Sequence, residues 1–242
     1  MKGVCPWSSA ARTDPGKVRR RNEDAFLECP QRGMWAVADG MGGHWCGDIA
    51  SQLIIANLAD LPWHRDLNER SKAVRQSLRW TNRRLAQELT VTEEQPGITG
   101  STVVALLLEG NRGVCIWAGD SRCYLWRGQR LYQLSKDHSL QQRLIDTQRI
   151  SREEARAHPA AKALTRAVGA APDLSLELLE LDVHPGDTFL LCSDGLYQGL
   201  SAEALGNALC LDSPLGVLER LFGDVLRGSA RDNLTAVVVR RE

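Results

Sequence analysis

Residues 101–134 read Ser101-Thr-Val-Val-Ala-Leu-Leu-Leu-Glu109, Gly110-Asn-Arg112, Gly113-Val-Cys-Ile-Trp-Ala118, Gly119-Asp-Ser-Arg122, Cys123-Tyr-Leu-Trp-Arg127, Gly128-Gln129 and Arg130-Leu-Tyr-Gln-Leu134. These are short β-branched, aliphatic or aromatic runs, punctuated by turn signals at Gly110-Asn111, Gly119-Asp120 and Gly128-Gln129. The pattern predicts strands over 101–109, 113–118, 123–127 and 130–134, joined as an antiparallel meander. Outward from it, Met-Trp-Ala-Val-Ala at 34–38 predicts a buried strand stopping at Asp39-Gly40. Residues 45–60 carry Ile49, Leu53, Ile54 and Leu58 at helical spacing. Residues 67–90 set Leu67, Val74, Leu78, Leu85 and Leu89 on one face and a basic run on the other, which predicts a long amphipathic helix.

Downstream, 138–168 is polar and helix-forming, with His158-Pro159 as a breaker. Residues 176–183 and 188–192 predict strands around Pro185-Gly186-Asp187, 201–210 and 214–227 predict helices, and 234–239 a last strand. Helices placed between runs of hairpin-paired strands predict an α+β fold with antiparallel sheets and helices on their outer faces. Residues 92–99 are the most loop-like stretch, and no repeat or linker divides the chain, so 1–242 is expected to form a single domain.

The 242 residues balance 30 Lys and Arg against 30 Asp and Glu. A chain of this length hides roughly 70–75% of its unfolded surface, so neither disulfides nor a structural metal are needed for folding. The longest apolar run, 103–108, falls far short of the roughly twenty residues of a membrane helix. The first residues lack the apolar core of a signal peptide, and the seven cysteines (5, 29, 46, 115, 123, 192 and 210) include no Cys-x-x-Cys pair. Reduced thiols in a cytoplasmic protein are expected, with no membrane partner. Zero net charge and few aromatics argue against nucleic acid. The charge is nevertheless uneven: basic over 12–21 and 65–84, acidic over 173–187.

The acids fall at informative places. Asp39, Asp120 and Asp194 each end an apolar run, while Asp232-Asn233 and Glu23-Asp24 each open one. A hairpin turn explains any single Asp-Gly. Five acidic positions at the edges of buried strands are another matter, because a carboxylate there is costly unless a positive charge meets it. The sequence shows no surplus of buried-looking Lys or Arg, so convergence on hard divalent cations is the economical reading. Oxygen donors favour magnesium or manganese over zinc. Gly40 lets the backbone approach an ion. Arg19, four residues before Glu23, is either a surface arginine of a basic run or a fork placed to grip phosphate oxygens.

These residues give the chain a family likeness. Arg19-x-x-Asn22-Glu23-Asp24, Asp39-Gly-Met-Gly-Gly-His44, Gly100-Ser-Thr102, Gly119-Asp120-Ser-Arg122, Asp137-His138-Ser139, Leu164-Thr-Arg-Ala-Val-Gly169, Ser193-Asp194-Gly195 and Asp232-Asn233-Leu-Thr235 occur in order over residues 16–239. In this the chain resembles bacterial metal-dependent protein phosphatases of the PP2C type, the PPM family. The resemblance implies an α-β-β-α sandwich of two antiparallel sheets flanked by helix pairs, and a core site for two ions, Mn2+ or Mg2+. By matching position, Asp39, Asp194 and Asp232 would hold one ion. Asp39, the Gly40 carbonyl and Asp24 would serve the other, supported by Glu23 and Asn233. Asp120 matches a ligand of a third, weaker ion.

The resemblance further implies hydrolysis of phosphoserine and phosphothreonine by metal-activated water, with Arg19 neutralising phosphoryl charge. No Cys-x5-Arg or Asp-x-Asp nucleophile occurs. Eukaryotic relatives carry His after Asp-Gly, where this chain has Met41; His44 is the available substitute as general acid. His138 is expected to be structural. Residues 139–168 match the family's flap, and their basic residues, with Arg20, Arg21 and the 65–84 helix, are candidates for docking acidic phosphoprotein loops. The implied partners are phosphorylated proteins and a cognate Hanks-type Ser/Thr kinase, as in the stand-alone bacterial members, some of which act on type VI secretion. Two alternatives stand beside this. One is a catalytically inactive PP2C-like scaffold that binds phosphoproteins. The other is a domain carrying an aspartyl phosphate, which would need a Lys and a parallel sheet that the sequence does not suggest.

Overall fold

The computed structural model describes residues 6–42, 47–62, 64–88 and 99–242. Among these residues, eleven strands form two antiparallel sheets. One contains β1 (Trp7–Asp14), β11 (Leu234–Arg241), β10 (Thr188–Cys192), β7 (Arg122–Arg127) and β8 (Arg130–Gln133), in that order. The other runs β2 (Asp24–Cys29), β3 (Met34–Met41), β5 (Val103–Glu109), β6 (Arg112–Ala118) and β9 (Glu177–Asp182), with the short β4 (Gly100–Ser101) paired to β3.

Period-two alternation decides which side chain enters which layer. On β3, Trp35 and Val37 point between the sheets, and on β5 so do Val104, Leu106 and Leu108. Their neighbours Met34, Ala36, Ala38, Val103, Ala105 and Leu107 face the opposite way, onto α1 (Gly47–Ala59) and α2 (Leu67–Glu88). In the other sheet, Phe189, Leu191, Val237 and Val239 fill the middle, while Leu190, Cys192, Ala236 and Val238 meet α6 (Ala202–Leu209) and α7 (Pro214–Arg227). Both faces of the central strands are covered, which is why 103–108 is apolar throughout. The result is the four-layer sandwich that the resemblance implied.

The expected meander is corrected. β5 pairs β6 and β7 pairs β8, but β6 and β7 lie in different sheets. The chain crosses from one sheet to the other at 119–121, where Gly119 takes a left-handed φ of 114° that a turn signal alone does not distinguish from a hairpin. β9 and β10 likewise belong to opposite sheets. Within 138–168 the helices are two short ones, α3 (Leu140–Gln148) and α4 (Arg152–Ala157), separated at Arg149 in a left-handed conformation. Ser139 caps the first and Ser151 forms a capping box with Glu154 at the second. Two elements were not anticipated: β1, whose small and polar residues give little strand signal, and the single turn α5 (Asp194–Tyr197). Among the described residues, no helix is long and apolar enough to cross a membrane.

α1 starts at the end of the molecule where β3 finishes, and α2 runs back towards that end. Near its start, the Leu67 N–H donates to Glu109 at the far end of β5. Near its finish, Asn82 donates to the carbonyls of Ala171 and Pro172 and accepts from the Gly169 N–H at 2.7 Å. Asn82 is itself buried. Replacing it with Ala strands these backbone groups, at a cost of about 1–3 kcal/mol. A urea midpoint within error of the parent would contradict this.

Candidate active site

The acids of the sequence meet at one end of the sandwich because the strand registers align there. Asp24 pairs with Asp39 across β2 and β3. Cys192, at the end of β10, lies opposite both Arg122 and Ala236. The loop ends carrying Asp120, Asp194 and Asp232 therefore coincide. A cavity of about 430 Å3 is lined by Asp39, Asp120, Asp194 and Asp232, together with Arg19, Glu23, Gly40, Met41 and Asn233. Asp24 does not line it. That residue is buried, and its carboxylate accepts a hydrogen bond from Ser193 Oγ at 2.8 Å.

Hydrogen bonds fix the backbone around these carboxylates. The Asp39 N–H donates to Thr102 Oγ1, and the Asp39 carbonyl accepts from the Thr102 N–H at 2.9 Å and from Ser101 Oγ at 3.0 Å. Thr102 Oγ1 shares a further hydrogen bond with Ser121 Oγ, 2.7 Å away in the crossover that carries Asp120. Asn233 clasps the 15–23 loop: its Oδ1 accepts from the Glu23 N–H, and its Nδ2 donates to the carbonyls of Pro15 and Arg21. At Gly40 a Cβ would stand 2.1 Å from the Gly47 carbonyl oxygen and 2.5 Å from that of Glu23. Only glycine admits this close passage of three chain segments.

Charge is where the site is costly. Burial, then the fields of Asp24, Asp194, Asp120 and Asp232, hold the Asp39 carboxyl well above the ordinary range. Asp120 is pushed up to about 7 by burial and then by Asp194 and Asp137. Asp24 is raised to about 6 by burial, against hydrogen bonds from Thr235 and Ser193. Asp194 and Glu23 are raised too, in each case chiefly by burial. Arg19 brings a cation to the ring: it donates Nε–H to Asp232 Oδ1 at 2.9 Å and Nη2–H to Oδ2 at 3.0 Å. Lys162, on the segment after α4, also lines the cavity and lowers the Asp194 value. Among the described residues, no three His, Cys, Asp or Glu side chains yet stand close enough together to hold one ion. The carboxylates ring the cavity without closing on a point.

Comparison with known proteins agrees with this geometry. Residues 17–236 match the family model of protein phosphatase 2C. The chain belongs to the protein phosphatase 2C family. That family consists of metal-dependent hydrolases. The serine/threonine protein phosphatase PstP of Mycobacterium tuberculosis is 38% identical over 229 residues, which are 95% of this chain but 44% of PstP. The chain thus spans less than half the length of that relative. The serine/threonine phosphatase Stp of Listeria monocytogenes is 32% identical, with 96% of this chain and 94% of Stp covered. Among solved structures, PppA, a key regulatory component of T6SS in Pseudomonas aeruginosa, superposes with a TM-score of 0.90 at 42% identity over 98% of each chain. The catalytic domain of PstP in complex with two manganese ions gives 0.83 at 36% identity, over 97% of each chain.

As a PP2C-family site, the cavity assembles most of what the sequence singled out. His44 lies outside the described residues, as does Cys46. His138 is structural as expected: its Nδ1 accepts from the Gly119 N–H, which leaves Nε2 to donate to Glu177 at 3.1 Å, and its ring stacks on Trp117. Arg122, two residues after Asp120, is fully engaged. Its fork donates to both Asp137 oxygens at 2.8 and 2.7 Å and lies 3.7 Å over the Tyr197 ring. The Tyr197 hydroxyl in turn donates to the Asp120 carbonyl. Thr102 and Ser193 had no assigned role in the sequence reading, although both fall inside quoted motifs. Lys162 had only the general basic character of its segment.

Raised carboxyl values carry a sign for stability. Asp24 and Asp120 bind protons more tightly folded than unfolded, where an aspartate titrates near 4. Their protonated forms stabilise the fold below that value, and the contribution is lost as pH rises through about 6 and about 7. In EDTA, Tm is expected to fall by several degrees between pH 5 and pH 8. A calorimetric scan series showing a flat or rising Tm over that interval would count against the carboxylate ring as described.

Proposed function

We propose that this chain hydrolyses phosphoserine and phosphothreonine in proteins with the help of two divalent cations, manganese or magnesium. The observation that carries the proposal is the ring of Asp39, Asp120, Asp194 and Asp232, backed by Asp24, around one cavity with Arg19 at its edge. The residues fit the ions chemically. Every donor is a carboxylate or carbonyl oxygen, which suits hard divalent cations, and the raised carboxyl values mark a cluster short of positive charge. Asp39, Asp194 and Asp232 would hold one ion, Asp39, Asp24 and the Gly40 carbonyl would serve the second, and Asp120 would bind a third. When bound, such ions lower the pKa of coordinated water and neutralise phosphoryl charge.

The chain's own residues supply position and selectivity. Arg19 spends Nε–H and one Nη2–H on Asp232, and its remaining N–H donors are left for phosphate oxygens. Asn233 fixes the loop that presents Arg19, so Arg19 is aimed from the backbone outward. Glu23 is held by the same clasp at the cavity wall. The Ser101 and Thr102 hydrogen bonds occupy the Asp39 backbone and leave its carboxylate for the cavity. Among the described residues lining the cavity there is no cysteine or serine, and the one hydroxyl, that of Thr102, is held by the Asp39 N–H and Ser121 Oγ, which is consistent with direct attack by water. The proton delivered to the leaving seryl or threonyl oxygen has His44 as its proposed donor.

Phosphorylated proteins are the proposed partners, including a cognate Ser/Thr kinase and its substrates, in the cytoplasm. The likeness to PppA, described as a regulatory component of T6SS, supports a link to type VI secretion control. The inactive-scaffold alternative is disfavoured by the presence of Asp39, Asp120, Asp194 and Asp232 around the cavity with Asp24 behind them.

Asp39→Asn and Asp194→Asn test the proposal. Each is expected to lower manganese-dependent turnover of a phosphothreonine peptide by about a hundredfold or more. Asp39→Asn should at the same time raise the Tm in EDTA, because it removes a charge repelled by four others. Undiminished hydrolysis by the parent in EDTA would overturn the metal-assisted reading, and absence of turnover with either metal would favour the scaffold.

A further inference from the structure

The outer face of α2 carries charge that the cavity does not use. Leu67, Val74, Leu78 and Leu85 bury one side of the helix against the sheet, so its other side faces away from the protein. On that side Lys72, Arg79, Trp80, Arg83 and Arg84 are exposed, with members separated by three, four or seven residues and so sharing one face. No acid occurs between Glu69 and Glu88. Lys72 has a distant partner in Glu69 at 4.0 Å, whereas neither Arg79 nor Arg83 pairs with an acid among the described residues. Trp80 is 48% exposed, with the Arg84 guanidinium 5.5 Å from its ring centroid.

The direction of the helix joins this face to the cavity. α2 begins at Glu109, far from the site, and its last turns reach it. There Asn82 binds the backbone of 169–172, and the adjoining Val168 exchanges backbone hydrogen bonds with Ser101, whose hydroxyl donates to the Asp39 carbonyl. The arginines therefore lie at the cavity end of the molecule.

We infer that the C-terminal half of α2 is a docking surface for an acidic segment of the protein substrate, carried on the same chain as the phosphorylated residue. This rests on the phosphatase reading above and adds a substrate class to it. Charge complementarity supplies the argument: the forks of Arg79 and Arg83 match carboxylates, and Trp80 offers one flat apolar contact beside them. The cavity is lined mainly by acids, with Arg19 and Lys162 as its cations, so carboxylates flanking the phosphorylated residue find a cationic handhold outside it. An anionic membrane suits the face less well. The other large apolar residues described on the helix, Leu67, Val74, Leu78 and Leu85, are turned to the core, which leaves Trp80 as the one large apolar group on the outer face to enter a bilayer.

The test compares two phosphothreonine peptides that differ only in a flanking tract of Asp or Asn, on the full chain with manganese. The Asp peptide is expected to show a KM about fivefold lower with similar kcat, an advantage that shrinks as salt rises. In Arg79→Glu/Arg83→Glu the advantage should vanish or invert while p-nitrophenyl phosphate turnover stays unchanged. Trp80→Ala should weaken it in part. Equal KM values for both peptides on the parent, or the same ratio in the double variant, would overturn the inference. So would loss of binding to phosphatidylserine vesicles in the double variant with the peptide ratio intact, which would assign the face to a membrane. Should neither peptide nor p-nitrophenyl phosphate turn over, the phosphatase reading fails by itself. Calorimetric binding of the unphosphorylated Asp peptide, present in the parent and absent in the double variant, then still decides for the docking surface, and its absence in both decides against it.

Discussion

Asp39 feels four other carboxylates, those of Asp24, Asp194, Asp120 and Asp232, from a position where burial already disfavours its charge. Its backbone cannot relieve the repulsion, because Ser101 and Thr102 hold both the N–H and the carbonyl, and β2 and β5 flank the strand on either side. Like charges held this way raise one another's pKa and wait for a counter-charge. The strand ends, the Gly40 passage and the Asn233 clasp all serve to keep the carboxylates near one another in spite of this. The site is thus destabilised locally by groups that the surrounding sandwich holds in place.

That sandwich can bear the load because its middle layer is dense and apolar. Trp35, Val104, Leu106, Phe189, Leu191, Val237 and Val239 are fully buried between the sheets. Burying a side chain of this size is worth roughly 1.5–3 kcal/mol, so a few of them offset several raised carboxylates. The crossover at 119–121 couples the two halves directly. It joins β6 in one sheet to β7 in the other and delivers Asp120 to the cavity, while Ser121 is tied to Thr102 beneath Asp39's strand end. A shift of one sheet against the other would therefore move Asp120 relative to Asp39.

Much of this was legible in the sequence, for physical reasons that differ from element to element. Runs such as 103–108 and 188–192 are buried on both faces and announce themselves by composition. α2 and α7 announce themselves by spacing. β1 did not, because an edge strand of Ser, Ala, Arg and Thr residues carries little apolar pattern and is defined by its partner, β11. Local signals also say nothing about which sheet a strand joins, so the step from β6 to β7 read as a hairpin. For the site, the acids were visible as exceptions: carboxylates beside buried strands need a reason. What holds them was less visible. Thr102 and Ser193 act through a few hydrogen bonds to backbone, hydroxyl or carboxylate, as Asn233 does to the backbone of 15–23, and a hydroxyl or amide in a motif does not reveal its partners.

Arg19 shows how magnitudes separate a resting contact from a working one. Its two hydrogen bonds to Asp232 have good geometry, yet its side chain is 55% exposed and that of Asp232 is 41% exposed. An ion pair so open to water is worth about 1 kcal/mol or less. It orients the guanidinium without committing it. A phosphate monoester offers more negative charge and several acceptor oxygens to the same planar fork. The role proposed for Arg19 therefore needs no large rearrangement of the loop. Asn233 keeps the backbone of 15–23 fixed, and only the far end of one side chain has to change partners.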